Sequence, residues 1–105
     1  MINAELKKIY CPMTETAFYI LLSLQVERHG YSIMQHVEDI TDGRISLGPG
    51  TLYGTLSKMK NDELIEIVKQ QGKRKIYRTT DIGMQLLHIE KERIAELYKN
   101  SERTE

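Results

Sequence analysis

The sequence predicts a mainly α fold with a small β-hairpin, and three observations carry that expectation. Apolar residues recur at helical spacing in three stretches before residue 62, and two short β-rich runs then flank a basic, glycine-containing segment at 69–74. A long stretch with helical periodicity follows from residue 81. The chain has 105 residues and a mass of 12.2 kDa, which suits one domain with a small core.

The first helix is expected over residues 14–29, where Phe18, Ile20, Leu21, Leu22, Leu24 and Val26 make an apolar surface too broad for one stripe. Such a helix is central, and Gly30 is expected to end it. A second helix over 32–41 takes Ser32 as N-cap and sets Ile33, His36, Val37 and Ile40 on one face, before a turn at Thr41, Asp42 and Gly43. The stretch LGPGTLYGTLSKMKNDELI, residues 47–65, opens a third helix at Pro49, whose missing N–H costs nothing in a first turn. Leu52, Leu56 and Met59 face inward there, Thr51, Thr55 and Lys58 lie opposite, and Asn61 is the expected last residue.

Strands are expected at 64–68 and 75–79, joined by a long basic tip over 69–74. Thr79 or Thr80 caps the last helix, with Asp81 favouring its positive end. Between 81 and 99 the apolar residues fall into two sets. Met84, Leu87, Ile94 and Tyr98 share one arc, whereas Ile82, Leu86, Ile89 and Leu97 share another. Two stripes predict packing against the helix's own domain on one side and a partner chain on the other. The polar residues 100–105 are expected to fray. Three helices, a hairpin and a long helix make the order of a winged helix-turn-helix: residues 1–79 form the winged part, and residues 80–105 a dimerisation helix with its tail.

Composition narrows the function. Formal net charge is zero, but residues 44–78 carry eight cations against three acids, and residues 14–43 one cation against five acids. A basic patch hidden in a neutral total is the electrostatic footprint of a phosphate-backbone partner. Cys11 is the single cysteine, and His29, His36 and His88 are dispersed, so neither an internal disulfide nor a metal set is expected. The glycines at 48, 50 and 54 have no strand before them and no Gly-Lys-Ser/Thr after them, which removes the nucleotide-loop reading. No nucleophile, paired-carboxylate or cofactor pattern appears, so the chain is not expected to be an enzyme. No apolar run approaches the length of a membrane span, and MINAELKKIY places charges where a signal peptide is apolar; a cytoplasmic protein is expected.

Double-stranded DNA accounts for more of these features than any other partner. Thr51 and Thr55 offer compact polar groups and methyls for a major groove, and Lys58 offers a cation to base or backbone. Tyr53 and Tyr31 can bond phosphate through their hydroxyls. Lys73, Arg74 and Lys75 at the hairpin tip can follow the adjacent backbone. An alternative is a winged-helix module that binds protein through the same surface, with Glu63 and Glu66 beside the strand.

The sequence also resembles the PadR family of bacterial transcriptional regulators. The likeness runs over His29-Gly30-Tyr31, Gly50-Thr51-Leu52-Tyr53, Glu63-Leu64-Ile65, Lys73-Arg74-Lys75-Ile76-Tyr77 and Thr79-Thr80-Asp81-Ile82-Gly83, in this order. It implies a homodimeric repressor of the compact type, acting on a near-palindromic operator and responsive to a small aromatic or hydrophobic effector. It marks Tyr31, Thr51, Tyr53, Lys73 and Arg74 as DNA-side candidates and Phe18, Leu22, Leu87, Ile94 and Tyr98 as dimer-side candidates. Gly54 departs from the proline that many relatives carry, and a tryptophan-lined drug site cannot be carried over to a chain without tryptophan.

Overall fold

The computed structural model of the chain describes residues 4–104. Five helices and three short strands follow in the order α1 (Ala4–Tyr10), α2 (Glu15–Ser23), β1 (Arg28–His29), α3 (Gly30–Ile40), α4 (Pro49–Asn61), β2 (Ile65–Gln71), β3 (Arg74–Thr79) and α5 (Asp81–Ser101). The strands form one antiparallel sheet in the order β1-β3-β2, so the fold is a mainly helical winged helix.

The expected first helix is shorter than its apolar pattern. It begins where Thr14 accepts from the Ala17 N–H, and it stops at Ser23 because its last carbonyls are taken from outside the helix. The Thr79 N–H donates to the Leu24 carbonyl at 2.8 Å, the Thr79 hydroxyl to the Leu21 carbonyl at 3.2 Å, and Arg28 Nε to the Ser23 carbonyl at 2.9 Å. Arg28 and His29 then pair with Tyr77 and Ile76 as a third strand. Gly30 therefore starts α3 instead of ending α2, and the cap is His29, whose Nδ1 accepts from the Ser32 N–H; Ser32 is not the cap.

Both α3 and α4 close with the double hydrogen-bond pattern that a left-handed residue allows. After α3, Asp42 has φ 51° and the Gly43 N–H donates to the Glu38 carbonyl. After α4, Glu63 has φ 63° and the Leu64 N–H donates to the Met59 carbonyl, which turns the chain into β2. Asn61 is the last residue of α4, as its sequence predicts.

The hairpin tip is tighter than expected. Pairing continues to Gln71 opposite Arg74, leaving only Gly72 and Lys73 in the turn. Gly72 has φ +62° at the first central position, the conformation that twists a two-residue loop in register with its strands. A register shift between Ile67 and Lys69 bends β2 on the way.

The core joins α2, α3, α4 and the base of α5 through Ile20, Leu21, Leu24, Ile33, Val37, Leu52, Leu56, Met59, Leu64, Ile65, Leu86 and Leu87, with Tyr10 and Tyr77 at its edges. Gly83 lets α5 cross the start of β2, since a Cβ there would overlap the Leu64 carbonyl. Thr80 is the cap of α5, accepting from the Gly83 N–H at 3.1 Å. The helix continues through Asn100 to Ser101, further than the sequence suggests; Glu105 lies outside the described residues. Beyond Glu90 the core stops, and Ile94, Leu97 and Tyr98 stand exposed. Leu87 is the exception among the expected dimer-side residues: at 1% exposure it belongs to the protomer's own core, because the inward stripe of α5 passes through it. Phe18 and Leu22 are half-buried at the core margin. The helix α1 was not expected from the sequence at all.

Candidate nucleic-acid interface

Three elements meet around an open cleft of about 460 Å³ lined by His29, Gly30, Tyr31, Tyr53, Lys73, Arg74, Lys75 and Tyr77. The start of α3 gives Tyr31, the wing-side flank of α4 gives Tyr53, and the hairpin gives its three consecutive cations. Tyr53 and Tyr31 are 47% and 58% exposed, so both rings border solvent.

Gly30 sets the fit between the first two elements. A Cβ at that position would overlap the Tyr53 hydroxyl, so the missing side chain is what lets Tyr53 lie against the first turn of α3. Tyr77 forms the floor at 7% exposure, and burial pushes its hydroxyl above the ordinary tyrosine range. Tyr77 is therefore a neutral group at physiological pH.

The cations of the molecule divide by partner. Arg44 bonds Glu15 at 2.7 Å, Arg78 lies between Glu27 and Glu66 at 3.6 and 3.7 Å, and Arg93 bonds Glu90 at 2.7 Å. Lys73, Arg74 and Lys75 have no carboxylate partner among the described residues. Their positive charge is uncompensated, and it borders two phenols at the start of a helix. That combination suits an anion with hydrogen-bond acceptors on more than one side, as a phosphodiester backbone has.

Five of the eight expected DNA-side residues, Tyr31, Tyr53, Lys73, Arg74 and Lys75, are thus brought together, and three are not. Thr51, Thr55 and Lys58 lie on the other flank of α4, along a second groove shared with Ile9, Tyr10 and Pro12. They are not opposite the core face as the sequence reading placed them. On a 100° wheel Thr55 is only about 60° from the stripe of Leu52, Leu56 and Met59, and it is half-buried. The most outward positions of α4 on that wheel are Gly50, Gly54 and Asn61.

Lys58 is further engaged. Its ammonium lies 3.4 Å from Asp62 Oδ2 and 5.1 Å from the centre of the Tyr10 ring. Two further polar residues of α4, Ser57 and Lys60, border a shallow hollow with Lys75 and Tyr77, on the same flank as Tyr53. Their signal was present in the wheel, four and seven residues after Tyr53. The sequence does not disclose the role of His29, which depends on ending β1 and capping α3, and two residues of strand cannot announce that.

Among the described residues no group of three or more potential metal ligands comes together, and no helix is long and apolar enough to cross a membrane.

Residues 20–89 match the family model described as the transcriptional regulator PadR-like family. Among curated proteins, the transcriptional regulator YqjI of Escherichia coli K12 is 31% identical over 68 residues, covering 65% of this chain and 33% of that protein. The chain therefore spans about a third of that relative's length. Among solved structures, a PadR family transcriptional regulator from Eggerthella lenta superposes with a TM-score of 0.72 at 23% identity, covering 92% of this chain and 82% of the other. Bacillus subtilis PadR, solved in complex with operator DNA, superposes with a TM-score of 0.61 at 28% identity, covering 71% of this chain and 46% of the other.

Proposed function

We infer, for a chain that belongs to the PadR-like family of transcriptional regulators, that the basic cleft between α3, α4 and the wing receives the backbone of a DNA duplex. The observation that carries this is the set of unpartnered cations, Lys73, Arg74 and Lys75, beside Tyr31 and Tyr53. Backbone contacts of this kind fix register, and sequence is read by what enters the groove. With the wing and Tyr53 on phosphate, the N-terminal half of α4 is the element presented to base edges. Thr51 and Thr55 then read from its α1-side flank, and Ser57 from the wing side. That a relative's structure was solved with operator DNA supports DNA as the partner.

The protein acts as a homodimeric repressor in the cytoplasm. Residues 1–79 contact DNA, and residues 80–105 join two copies. Support comes from the distal part of α5, where Ile94, Leu97 and Tyr98 are 41%, 54% and 68% exposed. Phe18 and Leu22 continue this apolar margin onto α2. Two wings related by a twofold axis select a near-palindromic operator, and occupancy there blocks transcription. A groove of about 530 Å³ between α2 and α5, lined by Phe18, Tyr19 and Ile94 among others, has the apolar character suited to a small aromatic effector. Footprinting on the region upstream of its own gene tests the reading: two protected half-sites about one helical turn apart are expected, and uniform or absent protection would overturn it.

A further inference from the structure

The contacts of Lys58 point away from DNA and toward a device that holds α4 in place. Tyr10, at the end of α1, is 7% exposed, and its hydroxyl donates to Asp62 Oδ2 at 2.7 Å. Asp62 is the C-cap of α4. The same carboxylate oxygen takes the Lys58 ammonium at 3.4 Å, and that ammonium lies over the Tyr10 ring. Two donors from two helices thus converge on one oxygen at the end of α4.

The far end of the segment 10–13 is tied as well. The Met13 N–H donates to Glu90 Oε1 at 2.7 Å, and Glu90 is fully buried, held by Arg93 through both oxygens at 2.7 and 3.0 Å. Four residues therefore connect the C-terminus of α4 to the last buried turn of α5.

We propose that Tyr10 is a positioning residue for α4, acting through Asp62 and Lys58, and that the segment 10–13 ties the orientation of α4 to that of α5. This rests on the reading of α4 as the helix presented to DNA. Leu52, Leu56 and Met59 hold one face of α4 by apolar packing, which has no directional preference. A roll of about 20° about the helix axis moves a side-chain tip 5–6 Å from that axis by about 2 Å. That displacement breaks a hydrogen bond to a base edge. The directional contacts at Asp62 remove this freedom at the C-terminal end of α4, on the flank that faces α1. Tyr10 lies before residues 20–89, the span that matches the family model.

The test measures affinity of the intact protein for DNA from its own upstream region and for an unrelated duplex, each across a salt series. Y10F keeps the ring beneath Lys58 and removes only the hydroxyl; K58M removes the cation from an exposed side chain, so it reports even where Y10F lowers stability. Circular dichroism and sedimentation confirm that each variant is folded and assembled as the wild type is. Both are expected to bind the upstream DNA about 5–10-fold more weakly, the scale of one ordinary hydrogen bond. Binding to the unrelated duplex and the salt slope on both DNAs are expected to stay unchanged, because no phosphate contact is lost. A purely structural role would leave the affinity of the folded variants at the wild-type value and so overturns the proposal. So does a salt slope lowered by about one unit in K58M, since that identifies Lys58 as a phosphate contact. Wild-type protein that binds neither DNA in a salt-dependent way removes the underlying reading instead, which separates the two failures.

Discussion

At the scale of single residues, Gly30 and Glu90 show how local chemistry serves the whole. Gly30 stands where Tyr53 needs room, and the atoms that a Cβ would overlap all belong to the outer ring and hydroxyl of that tyrosine. G30A is therefore expected to fold with a stability change within about 1 kcal/mol, because a side-chain tip can swing aside. The displaced Tyr53 leaves the cleft, and affinity for the upstream DNA is expected to fall about 10-fold, read by urea titration and binding titration together. Glu90 governs acid stability. Its carboxyl is held below its ordinary value of 4.5 chiefly by the hydrogen bonds from Arg93, aided by the Met13 N–H and opposed by burial. The folded pKa is the lower one, so this contribution is present above pH 4.5 and is lost as pH falls through the folded value. Urea midpoints of the wild type are expected to drop more steeply with acid than those of E90Q, which starts lower at pH 7 by about 1–3 kcal/mol. Neither role is visible in the sequence: Gly30 reads there as a helix stop, and Glu90 as one more surface acid among the charges of a long helix.

At the scale of elements, what the sequence discloses follows from how far each determinant reaches. The starts of α4 and α5 were legible because Pro49 and Thr80 act within one turn of themselves. The end of α2 was not, since Thr79 and Arg28 close it from elsewhere in the fold, and a helical pattern that continues to Val26 hides the break. The wing was legible in composition but not in length, because Gln71 and Arg74 pair at the tip without any apolar signal. Within α4, the flank that meets the wing could be read from the wheel, yet the partner of the other flank is α1, whose seven residues carry only a faint pattern. Gly54 in that helix has no positive φ, and no atom lies within 4 Å of where its Cβ would be. G54A is expected to stabilise the protein by about 0.5–1 kcal/mol, measured as a shift in urea midpoint, since it restores helix propensity at no steric cost.

At the scale of the whole molecule, a chain of zero net charge is organised into a basic wing, an acidic α2–α3 region and an apolar distal α5. The charge asymmetry was legible in the sequence because it is a matter of counting along the chain. The cleft was only half legible, because the sequence names Tyr31 and Tyr53 but not the approach of one to the other across Gly30. Assembly is tested by sedimentation: twice 12.2 kDa is expected for the wild type, and I94D is expected to run at the single mass. The most direct test of the central claim is the salt dependence of binding to the upstream DNA, compared between the wild type and K73A/R74A. The wild type is expected to lose affinity steeply with salt, at a slope near −0.9 per neutralised phosphate, and the double variant to lower that slope by about two units on any DNA. Binding that is indifferent to salt, or a double variant with the wild-type slope, contradicts the account.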